Sequence, residues 1–448
     1  MLFRQFVDDD LGCASYLVGD ESAGLAAIVD PGFAIEPYLA EAERRGVRLV
    51  RVLETHTHAD HVSGHGRLAL ELGLPVAVHP LGEPEHPFEP LADGQRLELG
   101  HVRLTVLHTP GHRPEHCSFA VADRSRSEEP WLVLTGDSLF VGDAARPDLA
   151  VAAREGAQGL FHSLRRLHEL PDGVEVFPGH VAGSLCGTAM SSKPSTTIGF
   201  ERRFNAPFAL ATGAEDDFVA SATAGSSLRP PNVEHIVSFN RGPFVGAPEP
   251  LLPVETLDDD ASLLDVRPLR LFAAGHAPGA FNVPLDEGGF GTKAGFVLSP
   301  QERIVLQASS REEAERAARR LRAVGFLELA GYQEHAEQSE RLEPVELDDL
   351  ERLIAAEAVE VLDVRESDER DAGYIPGSRH IPYRLVRALG EGVGSGRPVV
   401  TICESGARAG VAASILAAAG VEARPVLSGG VSEWRARGNA TIKFRRCG

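Results

Sequence analysis

Four short apolar runs in the first 180 residues each end in a loop that carries metal-ligand side chains. Residues 47–53 lead into Thr55-His56-Thr57-His58-Ala59-Asp60-His61, 102–107 into Thr109-Pro110-Gly111-His112, 131–134 into Thr135-Gly136-Asp137, and 174–177 into Pro178-Gly179-His180. A strand sends alternate side chains to opposite faces, so the runs themselves could not gather these groups, whereas loops at the strand ends can. Any fold open to this chain must bring the C-terminal ends of four strands together. Imidazole and carboxylate suit zinc or iron, and the absence of a thiol near the histidine cluster disfavours a structural zinc finger.

Around these runs, helical patterns at 35–45, closed by Gly46, and 64–72, closed by Gly73, alternate with β-rich runs at 14–18, 25–29, 49–53, 76–78 and 102–107. Asp30-Pro31-Gly32 is a turn signal. The reading is a layered α/β domain. At 448 residues the chain has room for about three domains. A net charge of -21 with three lysines, Lys193, Lys293 and Lys443, argues against a nucleic-acid partner, which needs clustered cations. There is no Gly-rich loop ending in Gly-Lys-Ser/Thr to cradle a nucleotide phosphate. Five scattered cysteines, Cys13, Cys117, Cys186, Cys403 and Cys447, do not form a disulfide framework and point to a reducing, cytoplasmic compartment. No signal peptide and no membrane helix is expected.

Taken together, His56, His58, Asp60, His61, His112, Asp137 and His180 resemble the full ligand set of the metallo-β-lactamase superfamily. The resemblance covers residues 1–245 and implies an αβ/βα sandwich with its site at one edge. Within that superfamily, the stretch Thr135-Gly136-Asp137-Ser138-Leu139-Phe140-Val141-Gly142-Asp143-Ala144-Ala145-Arg146-Pro147-Asp148-Leu149 is similar to persulfide dioxygenases, relatives of glyoxalase II. That likeness implies one ferrous iron, Fe(2+), on His56, His112 and Asp137, with positions left open for O2 and a thiolate-like substrate. His58, Asp60, His61 and His180 would orient those ligands or face the substrate. A glyoxalase-type hydrolase would use the same seven residues for two zinc ions, Zn(2+), bridged by Asp137. Arg146 is placed on the substrate side. Similar fused enzymes carry a thiol at the position of Cys186, which implies a substrate-side group there, although a buried small apolar residue reads as well. Cys13 and Cys117 are expected to be structural.

Residues 209–231, rich in small and acidic side chains, and 242–253, rich in proline, read as linkers. Beyond them a repeat begins. Leu264-Asp265-Val266-Arg267 recurs as Leu362-Asp363-Val364-Arg365, and Gly275-His276-Ala277-Pro278-Gly279-Ala280 as Gly373-Tyr374-Ile375-Pro376-Gly377-Ser378. With Ser428-Gly429-Gly430-Val431 and Trp434, these segments resemble rhodanese domains, giving a division into 1–245, 246–342 and 343–448. In the second copy the run 399–402 leads into Cys403-Glu404-Ser405-Gly406-Ala407-Arg408 and then a helical pattern. A cysteine between a strand and a helix N-terminus has backbone N-H groups and a helix dipole beside its sulfur, which suits a sulfur carrier. Cys403 is the expected nucleophile, and Glu404, Ser405, Gly406, Ala407 and Arg408 the expected substrate loop. An ungapped match of 304–325 to 399–420 sets Ala308 opposite Cys403, so the first copy is expected to be inactive.

The combined resemblance implies a persulfide dioxygenase that converts a thiol persulfide, such as glutathione persulfide, and O2 into sulfite and thiol. The active rhodanese copy would exchange sulfur between persulfide plus sulfite and thiosulfate plus thiol. A dinuclear zinc thioesterase and a non-catalytic sulfur-relay scaffold are the alternatives. Homo-oligomerisation is compatible with the sequence.

Overall fold

The computed structural model describes residues 1–181, 190–224, 228–258, 260–335, 338–390, 392–394 and 396–443. The chain forms two compact units, Met1–Pro248 with Arg322–Gly325, and Glu249–Leu321 with Phe326–Gly448.

The first unit is built on two six-stranded sheets. One runs Leu2–Val7, Ala14–Asp20, Leu25–Val29, Arg48–Leu53, Val76–Val78, Glu89–Pro90 in spatial order. Its first three strands form an antiparallel meander, and the remaining pairs are parallel. The other runs Thr196–Thr197, Glu175–Pro178, Leu132–Gly136, Cys117–Asp123, Val102–His108, Arg96–Leu99. Alternation does the sorting. In Ala14–Asp20, Tyr16 and Val18 turn towards the other sheet and meet Leu104, Val106, Phe119 and Val121, whereas Leu17 turns outward. Outward residues of the first sheet, Leu17, Ile28 and Val52, are covered by helices Glu36–Arg45 and His65–Leu72 through Tyr38, Ala42 and Leu68. Helix Ala153–Leu167 covers the second sheet, with Leu160 and Leu164 against Val133 and Val176. The result is an αβ/βα sandwich, layered because each sheet must bury both faces.

The linker reading of 209–231 does not hold for its described part. Helices Ala206–Leu210 and Glu215–Ala222 occupy this region, and Phe208, Ala211 and Phe218 are buried with Leu160 and Leu164. Small and acidic residues outnumber the apolar ones here, yet Phe218, with Phe208 just ahead of the segment, buries enough surface to hold it down.

The second unit holds two four-stranded, all-parallel sheets. Their orders correspond: Phe281–Asn282, Ala261–Asp265, Arg303–Gln307, Leu329–Gln333 in one, and Arg379–His380, Glu360–Asp363, Val399–Ile402, Ala423–Pro425 in the other. Asp265 stands beside Gln307 as Asp363 stands beside Ile402. Each aspartate grips an arginine two residues on, and that arginine also donates to a carbonyl, Arg267 to Gly275 and Arg365 to Gly373. The repeated motifs are thus the same buried clamp, built twice.

Candidate metal centre and sulfur-carrier loop

His56, His112 and Asp137 come from three loops, and one ligand atom from each lies within 4.8 Å of the others. All three side chains are buried. Asp137 Oδ2 lies 3.6 Å from His112 Nε2 and 4.0 Å from His56 Nε2. Each imidazole is oriented from behind. His56 Nδ1 donates to Thr55 Oγ1 at 2.9 Å, and that hydroxyl donates to Asp30 Oδ2 at 2.8 Å. His112 Nδ1 donates to the Arg146 carbonyl at 3.2 Å. With the proton on Nδ1, each ring turns a lone pair on Nε2 towards Asp137. Burial, with His58 close by, holds His56 neutral well below the ordinary imidazole value, and burial lowers His112 against the pull of Asp137.

Burial works against the Asp137 carboxylate, but His180 and His112 outweigh it and keep the group ionised. Asp137 Oδ2 makes no hydrogen bond, nor do His58 Nδ1 and His61 Nε2, although all three atoms are buried. Buried polar atoms seldom go unpaired unless an unseen water or ion completes them. A buried anionic oxygen facing two imidazole lone pairs is the donor set that iron or zinc takes. The residues present therefore fit a resident metal.

The remaining four residues fall into two groups. His58 Nε2 donates to Glu54 Oε2 at 3.1 Å and lies 3.3 Å from Asp30 Oδ1. Burial opposes its protonation, yet these two carboxylates raise its basicity well above normal. Glu54 also accepts from His65 Nδ1 at 2.9 Å and Ser63 Oγ at 2.6 Å. On the other side, His180 links Asp137 Oδ1 at 2.9 Å to Asp60 Oδ2 at 2.8 Å, and His61 Nδ1 lies 3.3 Å from Asp60 Oδ1. Gly179, just before His180, is a packing requirement, because a Cβ there would stand 2.5 Å from Asp137 Oδ1.

Three participants escape a reading by loop motif. His116 lies in the strand-entry loop, and its Nε2 accepts the Asp137 backbone N-H at 3.0 Å; burial beside His112 pushes its pKa down to about 3. Asp30, in a segment that reads as a turn, supports both Thr55 and His58. Cys13, expected to be structural, instead lies against the metal cluster, its Sγ 3.1 Å from Asp60 Oδ2, 3.4 Å from His180 Nε2 and 3.5 Å from His61 Nδ1. The one available signal for Cys13 is its place just before strand Ala14–Asp20.

Arg146 does not stand as a free cation. Its Nε and Nη2 donate to the two Asp148 oxygens at 2.7 and 2.9 Å, and Nη1 to the Leu228 carbonyl at 2.7 Å. It lines a cavity of about 280 Å³ with Asp148, Leu160, Pro207 and Phe218. Cys186 lies outside the described residues.

In the second unit, Cys403 is buried between strand Val399–Ile402 and helix Ala407–Ala418. The Gly406 N-H donates to its Sγ at 3.2 Å. Gly406 has φ of 93°, and a Cβ there would strike the Leu427 carbonyl, so the turn requires glycine. Glu404 ties the loop down, accepting from Arg365 Nη1 at 2.6 Å and Ser432 N at 2.9 Å. Arg408 is held by Glu369 in a bidentate pair at 2.6 and 2.7 Å. Ser405 is exposed, and Ala407 is partly so. Arg365, Glu369, Glu404, Ser432 and Arg435 line a neighbouring cavity of about 280 Å³. In the first copy Ala308 is fully buried at the corresponding strand end, and Glu313 accepts the Ser309 backbone N-H.

Residues 8–180 match the metallo-beta-lactamase superfamily, and residues 254–335 and 346–437 each match the rhodanese-like domain. The chain belongs to the metallo-beta-lactamase superfamily, with two rhodanese-like domains following that fold. Among solved structures it is similar to a metallo-beta-lactamase from Staphylococcus aureus subsp. aureus COL, at 30% identity and a TM-score of 0.67, covering 74% of this chain and 98% of that one. It is 28% identical over 183 residues to the mitochondrial persulfide dioxygenase ETHE1 of Homo sapiens, covering 40% of this chain and 68% of the relative. A hydroxyacylglutathione hydrolase of Rhodospirillum rubrum is 32% identical over 171 residues, covering 37% of this chain and 60% of the relative.

Proposed function

We propose that the chain is an iron-dependent persulfide dioxygenase coupled to rhodanese sulfurtransfer. The observation that carries this reading is one chain holding both a buried two-histidine, one-carboxylate cluster and a cysteine seated in a rhodanese-type loop. Sulfane sulfur links the two chemistries. The first site would run RSSH + O2 + H2O to RSH + HSO3⁻ + H⁺, and the second would exchange sulfur between thiosulfate plus thiol and sulfite plus persulfide. Glutathione persulfide is a suitable carrier, and the resemblance to the persulfide dioxygenase supports that class.

His56, His112 and Asp137 would hold Fe(2+), which, when bound, can take O2 and a substrate sulfur in its open positions. The Asp30–Thr55 relay and the Arg146 carbonyl keep the two imidazoles aimed, while His180 holds Asp137 through the oxygen that does not face them. The buried cluster keeps bulk water from competing for a reactive sulfur. At the second site the Gly406 N-H stabilises charge on Cys403 Sγ as sulfur arrives and leaves.

A dinuclear zinc hydrolase is the second reading. Two observations favour it: the unpartnered His58 Nδ1 and His61 Nε2, and the resemblance to hydroxyacylglutathione hydrolase. Protein isolated under iron-replete conditions should contain about one iron per chain by the triad argument, with O2 uptake dependent on added persulfide. Two zinc ions, no O2 uptake and thioester hydrolysis would establish the hydrolase instead.

A further inference from the structure

The cavity beside Cys403 has one charge that no neighbour satisfies. Three parallel strands, Glu360–Asp363, Val399–Ile402 and Ala423–Pro425, deliver its walls from their carboxyl ends, which is where an open α/β sheet binds ligands. The first strand is followed by Arg365 and Glu369, the second by Cys403 and Glu404, the third by Val431, Ser432 and Arg435. Two contacts hold the third wall against the nucleophile. Val431 N donates to the Cys403 carbonyl at 3.0 Å, and a Cβ on Gly430 would stand 2.3 Å from that oxygen. The cavity measures about 280 Å³, many times the ~10–15 Å³ that one water needs, so it has room for more than a small oxyanion.

Arg365, Glu369, Glu404 and Arg435 are the charged groups of this lining, and the first three are saturated. Arg365 directs its guanidinium to Asp363, Glu404 and the Gly373 carbonyl. Glu404 accepts from Arg365 on one oxygen and from Ser432 N on the other, and Glu369 takes Arg408 on both. The Arg435 guanidinium has no partner among the described residues. It lies over Gly373, where an added Cβ would stand 3.9 Å from its Nη1. Its helix, Val431–Ala436, is fixed by buried Trp434, whose Nε1 donates to the Ala440 carbonyl at 3.1 Å. In the first copy Gly275 is the counterpart of Gly373, and there the Gln338 amide closes in, its Oε1 3.1 Å from the same added Cβ. The copy without a thiol thus has a neutral group where the copy with one has a cation.

We propose that this cavity seats the acceptor thiol of the Cys403 site and that Arg435 selects thiols bearing a carboxylate, the glutathione class, over neutral ones. A guanidinium meets a carboxylate in a charge-assisted pair that a neutral thiol does not offer. The step served is the acceptor half of the exchange. The incoming thiolate attacks the outer sulfur of a Cys403 persulfide, a new S–S bond forms, the old one breaks, and its electron pair returns to Cys403 as the thiolate. Arg435 touches the carrier and not the reacting sulfurs, so it sets affinity and not the rate of bond exchange. This role rests on reading Cys403 as a sulfur carrier.

The test is thiosulfate-to-thiol transfer by the full-length chain in the absence of O2, followed as sulfite release. The acceptors are glutathione and its diethyl ester, which keeps the thiol and loses the carboxylate charges. Covalent transfer splits into two half-reactions, so the KM of each substrate is read separately. Arg435→Gln should raise the KM for glutathione ~3–10-fold, the effect of a charged contact partly screened by solvent. Both kcat and the KM for the ester should stay unchanged, and Arg435→Lys should recover part of the loss. An equal rise for both acceptors, or none for glutathione, overturns the proposal. A rise confined to the KM for thiosulfate also overturns it, and assigns the cation to the sulfur donor. Transfer by the parent to neither thiol would end the carrier reading and this role with it, a result distinct from transfer that ignores Arg435. The side chain is exposed and unpartnered, so the substitution should leave the fold intact, which a thermal melt checks.

Discussion

At the scale of single residues, Asp137 carries the anionic charge of its three-donor cluster, and its Oδ2 has no other partner. Asp137→Ala should abolish O2 uptake, by more than ~100-fold if loss of a ligand outweighs loss of a ligand's support, while thiosulfate-to-thiol transfer continues. Cys403→Ser should give the opposite pattern when a low-molecular-weight persulfide is supplied. If Cys403→Ser also stopped O2 uptake, Cys403 would be an obligatory feeder of sulfur and the two-site division would be wrong. Gly179→Ala tests the packing around the ligand. Its Cβ would press on Asp137 Oδ1, so metal content should fall in a chain that still folds, with a stability cost of about 1–3 kcal/mol typical of overpacking. Metal analysis and thermal melts on the purified variant decide this. Residues in dense motifs, such as His56 and His58, are legible because several ligand types in one loop rarely have another explanation. Cys13 and Asp30 are not legible in the same way, since each is an ordinary strand-flanking residue until the sandwich brings it to the cluster.

At the scale of elements, the two rhodanese-like loops differ in more than their thiol. The first copy has Arg311 at the position of Gly406 and Glu313 at that of Arg408, and Glu313 turns back onto the Ser309 N-H. A backbone donor that could face an incoming anion is therefore already taken by a carboxylate. Ala308→Cys in a Cys403→Ser chain should show no thiosulfate-to-thiol transfer, and adding Arg311→Gly with Glu313→Arg should be needed before any appears. Activity in the simpler variant near that of the parent would mean that the loop had kept its anion-binding shape. In the metallo-β-lactamase unit, Asp20 ends strand Ala14–Asp20 and accepts from His101 N at 2.7 Å and Ser22 Oγ at 2.6 Å, which lowers its pKa from 3.8 to about 2. A carboxyl with a depressed folded-state pKa stabilises fully above its unfolded value and loses that contribution as pH falls. The difference in melting temperature between the parent and Asp20→Asn should be constant above about pH 4 and shrink towards pH 2. A difference that stayed constant through that window would remove Asp20 from the acid response. Strand and helix positions in the first 180 residues were readable because apolar periodicity and helix-closing glycines agree there, as at Gly46 and Gly73. The helices Ala206–Leu210 and Glu215–Ala222 were not, because composition averages over a segment while burial depends on the few side chains, Phe208 and Phe218, that reach the core.

At the scale of the molecule, the internal repeat made the paired architecture of the second unit legible, since equal motifs at equal strand ends imply equal folds. Among the described residues, no helix is long and apolar enough to cross a membrane. Chelation of the metal should stop O2 uptake without affecting thiosulfate-to-thiol transfer, because the Cys403 loop is built by strand and helix ends of its own unit. Loss of both activities on chelation, with Cys403 still free, would show that the second site depends on the first. His56 follows a strand of one sheet, whereas His112 and Asp137 follow strands of the other. An ion held by all three is therefore a removable cross-link between the layers, closing long stretches of chain at a single point. Withdrawing it should leave the interior packing in place but let that rim of the sandwich breathe. Amide hydrogens around 55–61, 109–116 and 136–138 should then exchange faster, while those of the outlying strand Leu2–Val7 keep their protection.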